Sequence, residues 1–279
     1  MEKVRKIERA VAITRLLAER PRHLFSLSYF SELFDAAKST LCEDMATIRE
    51  PLNRFGLGTL ETVTGAAGGV RFLPERPELA VSAVLDELAL RLAEPDRIIP
   101  GGFLYMSDLL FTPHLMTVVG EVFMTRLAAL NPDYIMTVET KGIPLAFMTA
   151  RAFDLPLVMV RRGSKVTEGS AVSINYVTGS SKRIQTMSLP KRALPNGSRV
   201  LIIDDFMKAG GTARGMVDLV NEVGAVAVGV GVLVATAEPA PKLVDEYTAL
   251  LVLHGVDEQT KKTDIRPGDF PLTEKGVQT

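Results

Sequence analysis

The chain carries a single cysteine, Cys42, in 279 residues. No internal disulfide can form, and so sparse a thiol content fits a reducing compartment better than a secreted scaffold. Histidine is almost as scarce. His23, His114 and His254 are scattered, and with one cysteine they give neither metal-ligand spacing nor a nucleophile–His–acid constellation. No residue is therefore assigned as catalytic or as a direct metal ligand. No apolar run reaches the ~18 residues that suggest a membrane span. Met1–Lys6 is charged where a signal peptide would be apolar, so a cytoplasmic protein is expected. An overall charge excess is missing too: the formal net charge is −1, so the chain is not globally a binder of polyanions. Internal repeats, low-complexity tracts and sustained heptad arrays are also absent. The 47% hydrophobic content is enough for a sizeable core, and the length allows one or two domains.

Against this background, Val200–Thr212 (VLIIDDFMKAGGT) stands out. A short unbroken apolar run, Val200–Ile203, suits a parallel strand buried on both faces. It leads into Asp204 and Asp205, then a loop through Phe206, Met207, Lys208, Ala209, Gly210, Gly211 and Thr212, then a helical pattern from about Ala213. Ligands of open α/β sheets gather at the carboxyl ends of such strands. Two carboxylates can accept from a pair of sugar hydroxyls. The glycines let backbone N–H groups converge at a helix N-terminus, where an anion is favoured. A nucleotide-triphosphate P-loop would place its lysine after the last glycine, whereas Lys208 precedes both. Helix capping would explain one acid but not the whole set.

These thirteen residues resemble the signature of the type I phosphoribosyltransferases. The resemblance implies that the two acids hold the ribose hydroxyls of phosphoribosyl pyrophosphate (PRPP) and that the following loop holds its 5′-phosphate. It also implies a pyrophosphate loop after an earlier strand, often containing a non-proline cis peptide. Tyr134–Val138 followed by Glu139-Thr140-Lys141-Gly142 fits that place, which makes Thr140, Lys141 and Gly142 site candidates; whether Glu139 faces solvent or a metal ion is open. Between candidate strands Leu157–Arg161 and Ile184–Ser188 lies a long Gly-, Ser-, Thr- and Lys-rich segment. Plain connectors are seldom so long. By resemblance it closes over the substrate, and Arg161, Arg162 and Lys165 are candidate partners for pyrophosphate. Phe103, Tyr105 and Phe206 are candidates for stacking on a base. Repeated strand–helix–strand order predicts a parallel sheet with flanking helices over residues 75–279.

Residues 1–74 read as a separate unit. A helix is expected over Lys3–Glu19, with Val4, Ile7, Val11 and Ala18 as its apolar row and Lys3, Arg5, Lys6, Arg9 and Arg15 on the other face. A second helix, Leu27–Phe34, has Ser26 as its candidate cap. A third starts near Ser39, with Thr40 and Glu43 matching a capping box and Pro51 expected to kink or end it. Thr59–Thr64, a glycine-rich turn and Val70–Phe72 make a hairpin. Three helices and a hairpin resemble a winged helix-turn-helix, which sets its second motif helix in a DNA major groove. The candidate DNA contacts are Lys3, Arg5, Lys6, Arg9, Lys38, Ser39, Thr40, Thr47 and Arg71. Eleven basic residues against nine acidic ones give only a small excess, so distribution must carry the argument. A small helical dimerisation or scaffold domain is the competing reading.

The combination resembles the purine operon repressors of Gram-positive bacteria along nearly the whole chain. The segments TLETVTGAAGGVRF, TVETKGIPLA, KVTEGSAVSINYVTGSSKRIQTMSLPKR and VLIIDDFMKAGGT carry the likeness. It implies a homodimer whose N-terminal unit binds double-stranded operators of purine genes and whose C-terminal unit senses PRPP, with Mg²⁺ arriving on the pyrophosphate. The alternative is a purine-base phosphoribosyltransferase with an appended regulatory domain. A third reading is a DNA-binding protein that keeps the fold as a relic and ignores PRPP.

Overall fold

The computed structural model describes residues 4–65, 68–163, 169–177 and 184–269. Lys3, Lys165 and much of the long basic segment lie outside them.

The N-terminal unit packs three helices, α1 (Lys6–Glu19), α2 (Leu27–Phe34) and α3 (Lys38–Arg54), against an antiparallel hairpin of β1 (Thr59–Val63) and β2 (Gly69–Leu73). Ser26 caps α2 as expected, its hydroxyl accepting from the Tyr29 amide at 3.1 Å. Ile13, Leu17, Phe30, Leu41, Met45 and Ile48 close the core with Leu60 and Val70 from the hairpin. Arg49 ties α3 to the wing, donating to the Leu60 carbonyl at 3.1 Å and to Thr62 Oγ1 at 2.8 Å.

Three details correct the sequence reading. The core side of α1 is Ile13 and Leu17 with a buried Arg9, while Ile7 and Val11 of the expected apolar row are 77% and 65% exposed. The capping box at Thr40 does not form: α3 begins at Lys38 behind Ala37, with no side-chain cap. Nor does Pro51 end α3, which continues to Arg54. A proline removes one backbone donor, and three residues beyond it suffice only to finish the last turn.

After α4 (Glu78–Leu92) comes a minimal hairpin, β3 (Ile98–Ile99) with β4 (Phe103–Leu104). Two helices, α5 (Ser107–Leu110) and α6 (Pro113–Leu127), lead into the main sheet. Its strands are β5 (Tyr134–Val138), β6 (Leu157–Val160), β9 (Arg199–Met207), β10 (Val226–Thr236), β11 (Thr248–Asp257) and β12 (Lys262–Pro267). Their spatial order is β12-β11-β10-β9-β5-β6, parallel throughout except for the β11–β12 pair at one edge. Helix α7 (Ile143–Phe153) connects β5 to β6, and α8 (Gly211–Glu222) connects β9 to β10. A separate hairpin, β7 (Ala171–Val177) with β8 (Ile184–Pro190), occupies part of the segment expected to be one long loop.

Alternation along β9 divides the core. Leu201 and Ile203 pack with α4, α6 and α7 on one face, and Val200 and Ile202 with α8 and the β7–β8 hairpin on the other. A strand covered on both faces has no polar side, which is why its sequence reads as continuous apolar residues. Among the described residues, no helix is long and apolar enough to cross a membrane.

The two units touch where the chain enters α2. Arg20 Nη2 and His23 Nδ1 lie 3.3 and 3.4 Å from Asp154 Oδ2, just past the end of α7. The Arg22 guanidinium sits over the Phe153 ring, 5.4 Å from its centroid.

Candidate effector site and nucleic-acid interface

Strand β9 runs further than its apolar residues, carrying Asp204, Asp205, Phe206 and Met207 within the ladder beside β10. The turn shortens to Lys208-Ala209-Gly210, and α8 starts at Gly211 rather than near Ala213. Gly210 caps it at φ 83°, and a Cβ there would come within 3.1 Å of the Leu243 amide nitrogen. Left-handed backbone and close approach both call for glycine. The first amides of α8, from Gly211 to Ala213, thus head an uncapped helix N-terminus at the cleft, the geometry that favours an anion.

The pyrophosphate-loop candidates face this turn across the cleft. The Glu139–Thr140 peptide is cis, as the family resemblance implies. Gly142 is pressed against the acids: a Cβ there would lie 2.7 Å from Thr137 Oγ1 and 2.8 Å from Asp204 Oδ1. One part of the cleft is lined by Thr140, Lys141, Asp205 and Thr212. The adjoining part is lined by Phe103, Gln185, Lys208, Ala209 and Gly210. Arg162, Asp204 and Phe206 border both.

The two carboxyls are unlike ordinary surface acids. Asp204 is 6% exposed, and its Oδ1 accepts from the Asp205 amide at 3.0 Å. Burial, with the neighbouring Asp205 charge added, holds its pKa well above the usual carboxylate range. Burial raises Asp205 too, against the opposing pull of Lys141 and Arg162. A pair of desolvated acceptors beside two cations suits a ligand that brings hydroxyl donors and negative charge together.

Several candidates take other positions. Arg161 lies 3.5 Å from Glu139 Oε2, and its backbone bridges to Ser188; it is Arg162 that lines the cleft. Glu139 answers its own question, for its Oε1 accepts from the Arg162 amide at 2.6 Å and orients that residue. Tyr105 follows β4 and does not line the cleft, a place Phe103 takes. Met207 lends the cleft little more than backbone, its side chain being 3% exposed in the core.

One residue went unnoticed in the sequence. Lys242 Nζ donates to the Lys208 carbonyl at 2.6 Å and lies 3.2 Å from Thr236 Oγ1, while the Leu243 amide donates to the Ala209 carbonyl at 2.9 Å. The segment after β10 thus braces the phosphate turn from behind. Nothing local marks this, because the contact spans 34 positions.

In the N-terminal unit, Lys38 and Ser39 stand exposed at the start of α3, with Thr40 half-buried beside them. Lys6 and Arg5 are exposed on α1, Arg5 paired with Glu8. Arg71 pairs with Glu61 across the wing. Thr47 lines a groove between α1 and α3. Arg9 is not a DNA contact. It is 7% exposed, with Nε 2.7 Å and Nη2 3.2 Å from the Asp44 carboxylate and Nη1 donating to the Val4 carbonyl. An acid on the reading helix had to turn inward, and it took the arginine with it.

The sheet, the paired acids and the glycine turn define a phosphoribosyltransferase-fold protein, here preceded by a winged helix. Comparison with known proteins agrees: residues 5–74 match the bacterial purine repressor N-terminal family, and residues 110–266 the phosphoribosyl transferase domain family. The chain is 47% identical over 96% of its length to the purine biosynthesis transcriptional repressor PurR of Bacillus subtilis, covering 94% of that protein. It is 37% identical, over 96% of its length and 98% of the other, to the purine biosynthesis transcriptional activator PurR of Lactococcus lactis. An adenine phosphoribosyltransferase crystal structure from Thermoanaerobacter pseudethanolicus shares the fold, with a TM-score of 0.52 at 20% identity over 60% of this chain and 98% of that one. The chain belongs to the bacterial purine repressor family.

Proposed function

We propose that this protein is a cytoplasmic, homodimeric DNA-binding repressor of purine biosynthesis and transport genes, with PRPP as the effector that relieves DNA binding. The observation that carries the PRPP reading is the juxtaposition of Asp204 and Asp205 with the Gly210-capped turn on one side and Thr140–Gly142 on the other. The two acids accept from the ribose hydroxyls. The Lys208–Thr212 turn takes the 5′-phosphate on its amides. Lys141 and Arg162 face the pyrophosphate. Among the described residues, no group of three or more His, Cys, Asp or Glu side chains could hold a metal. Mg²⁺ therefore enters this reading on the pyrophosphate, where it would offset the added negative charge beside the acids.

DNA would meet the exposed start of α3, at Lys38, Ser39 and Thr40, with Lys6 of α1 and the wing alongside. If the two ligands prefer different states, each weakens the other by the same factor. The relatives include a named repressor and a named activator, so coupling and transcriptional sign are separate questions. The test is a gel-shift titration on DNA upstream of the host's purine biosynthetic genes, at fixed salt, with and without Mg²⁺-PRPP. Specific binding that PRPP weakens supports the reading; specific binding that PRPP leaves unchanged removes PRPP as effector.

A second reading rests on Phe103 and Phe206, two aromatic rings lining the cleft where a nucleobase would stack. Consumption of PRPP with adenine, guanine or xanthine would make the protein an enzyme. No turnover with any of them leaves the cleft a sensor.

A further inference from the structure

We propose that two copies of this chain pair through the outer face of α1, each helix lying antiparallel against its mate. The assignment rests on the homodimer reading above and adds the surface to it.

Helix α1 meets its own core through Ile13 and Leu17. A second apolar row, Val4, Ile7, Val11 and Ala18, lies on a different side, and Ile7 and Val11 are among the most exposed large hydrophobics of the unit. With Thr14 the row falls at positions 4, 7, 11, 14 and 18. Alternating steps of three and four residues make the seam by which one helix lies along another. Beside the row, α1 and α3 leave a groove lined by Ala10, Val11, Pro51, Leu52 and Leu57. Phe55 and Leu57, at the end of α3, are 68% and 62% exposed. Apolar surface this continuous marks an interaction site more often than bare solvent contact.

The flanking charges select the occupant. Glu8 and Arg15 stand seven residues apart on one flank of the row, with opposite sign. An antiparallel second copy sets Glu8 of each chain beside Arg15 of the other, and the two-fold axis makes that exchange twice. A closed dimer needs such a self-complementary patch. Arg15 is free to take part, since its intrahelical Glu19 partner is 3.9 Å away with both side chains well exposed. Glu8, now shared with Arg5 in the first turn, would gain a second cation.

The test uses the full chain. Sedimentation equilibrium is run on wild type and Val11→Asp, with circular dichroism and PRPP affinity as controls; so exposed a position tolerates the change. The expected result is a dimer whose dissociation constant rises at least 100-fold in Val11→Asp while both controls hold. Independently, Val11→Cys in a Cys42→Ser background is oxidised, and a disulfide-linked dimer is expected on a non-reducing gel. A wild-type dimer that survives Val11→Asp and gives no cross-link overturns the surface and leaves the dimer standing. A wild type that stays monomeric at tens of micromolar overturns both.

Discussion

Asp154 Oδ2 lies 3.3 Å from Arg20 Nη2, an ion pair that joins the winged helix to the far end of the helix whose near end carries the pyrophosphate-loop candidates. Helix α7 has 11 residues, about 16 Å of rigid rod by its rise per residue. Gly142 caps its N-terminus against Asp204, and Asp154 caps its C-terminus in left-handed backbone. Any shift of Thr140–Gly142 on ligand binding is delivered to Arg20, His23 and Arg22 without passing through a flexible segment.

Asp154→Asn should therefore reduce coupling while sparing each binding event. Asparagine keeps the left-handed cap and removes the charge. The expected outcome is that the ratio of DNA affinities without and with PRPP shrinks several-fold, while PRPP affinity itself is nearly unchanged. Fluorescence anisotropy on operator DNA at fixed salt measures it. An unaltered ratio would mean that α7 carries no signal through this pair.

Asp204→Asn should stabilise the ligand-free protein and weaken its ligand. Burial and Asp205 raise the folded-state pKa of Asp204 above its unfolded value near ~3.9. A carboxyl raised in this way contributes stability when protonated and loses that contribution as pH rises through the folded pKa. At neutral pH the ionised acid is a burden that asparagine lifts. The variant should melt a few degrees higher at pH 7.5, since each kcal/mol is worth roughly 2–4 °C in a domain of this size. That advantage should shrink as pH falls and the wild-type carboxyl takes its proton. Scanning calorimetry across pH 5–8 checks the trend, and calorimetric titration should show PRPP binding lost by at least tenfold.

Gly142→Ala should injure the ligand site alone. The added methyl would meet Thr137 Oγ1 and Asp204 Oδ1 at distances real Cβ atoms do not tolerate, so the loop or the acid must move. PRPP affinity is expected to fall at least tenfold, with operator binding in the absence of PRPP within twofold of wild type. Wild-type PRPP affinity would show that the loop adapts without consequence.

The N-terminal unit shows how far its sequence could be read. Helix α2 and its Ser26 cap are local, so their residues announce them. The burial of Arg9 is not local, because the Asp44 that draws it inward is 35 positions away on another helix. The same holds for α1, whose two apolar rows look alike along the sequence and are told apart only by where α3 packs. In the C-terminal unit, the Val200–Thr212 turn was legible because strand, acids and glycines are consecutive. Arg162 over Arg161, Phe103 over Tyr105, and Lys242 depend on which neighbour the chain folds against, and composition and spacing do not record that.

Arg9→Met should act on stability rather than on DNA contacts. It leaves Asp44 buried at 1% exposure without its partner, and breaking a buried pair from one side costs about 3–5 kcal/mol. Urea melts of the full chain should show the winged-helix transition at lower denaturant. Arg9→Met with Asp44→Leu should recover much of the loss. At temperatures where the single variant is folded, the salt slope of DNA binding should match wild type, because Arg9 contacts no phosphate.

Cys42 is exposed on α3, one helical turn from Lys38 and Ser39, and no other thiol competes with it. The native chain thus comes with a unique attachment point at the edge of its proposed reading surface. A small environment-sensitive dye placed there needs no engineered cysteine and would brighten or dim as DNA arrives. With such a label the whole cycle of operator capture, effector arrival and release could be followed in real time on one unmutated polypeptide.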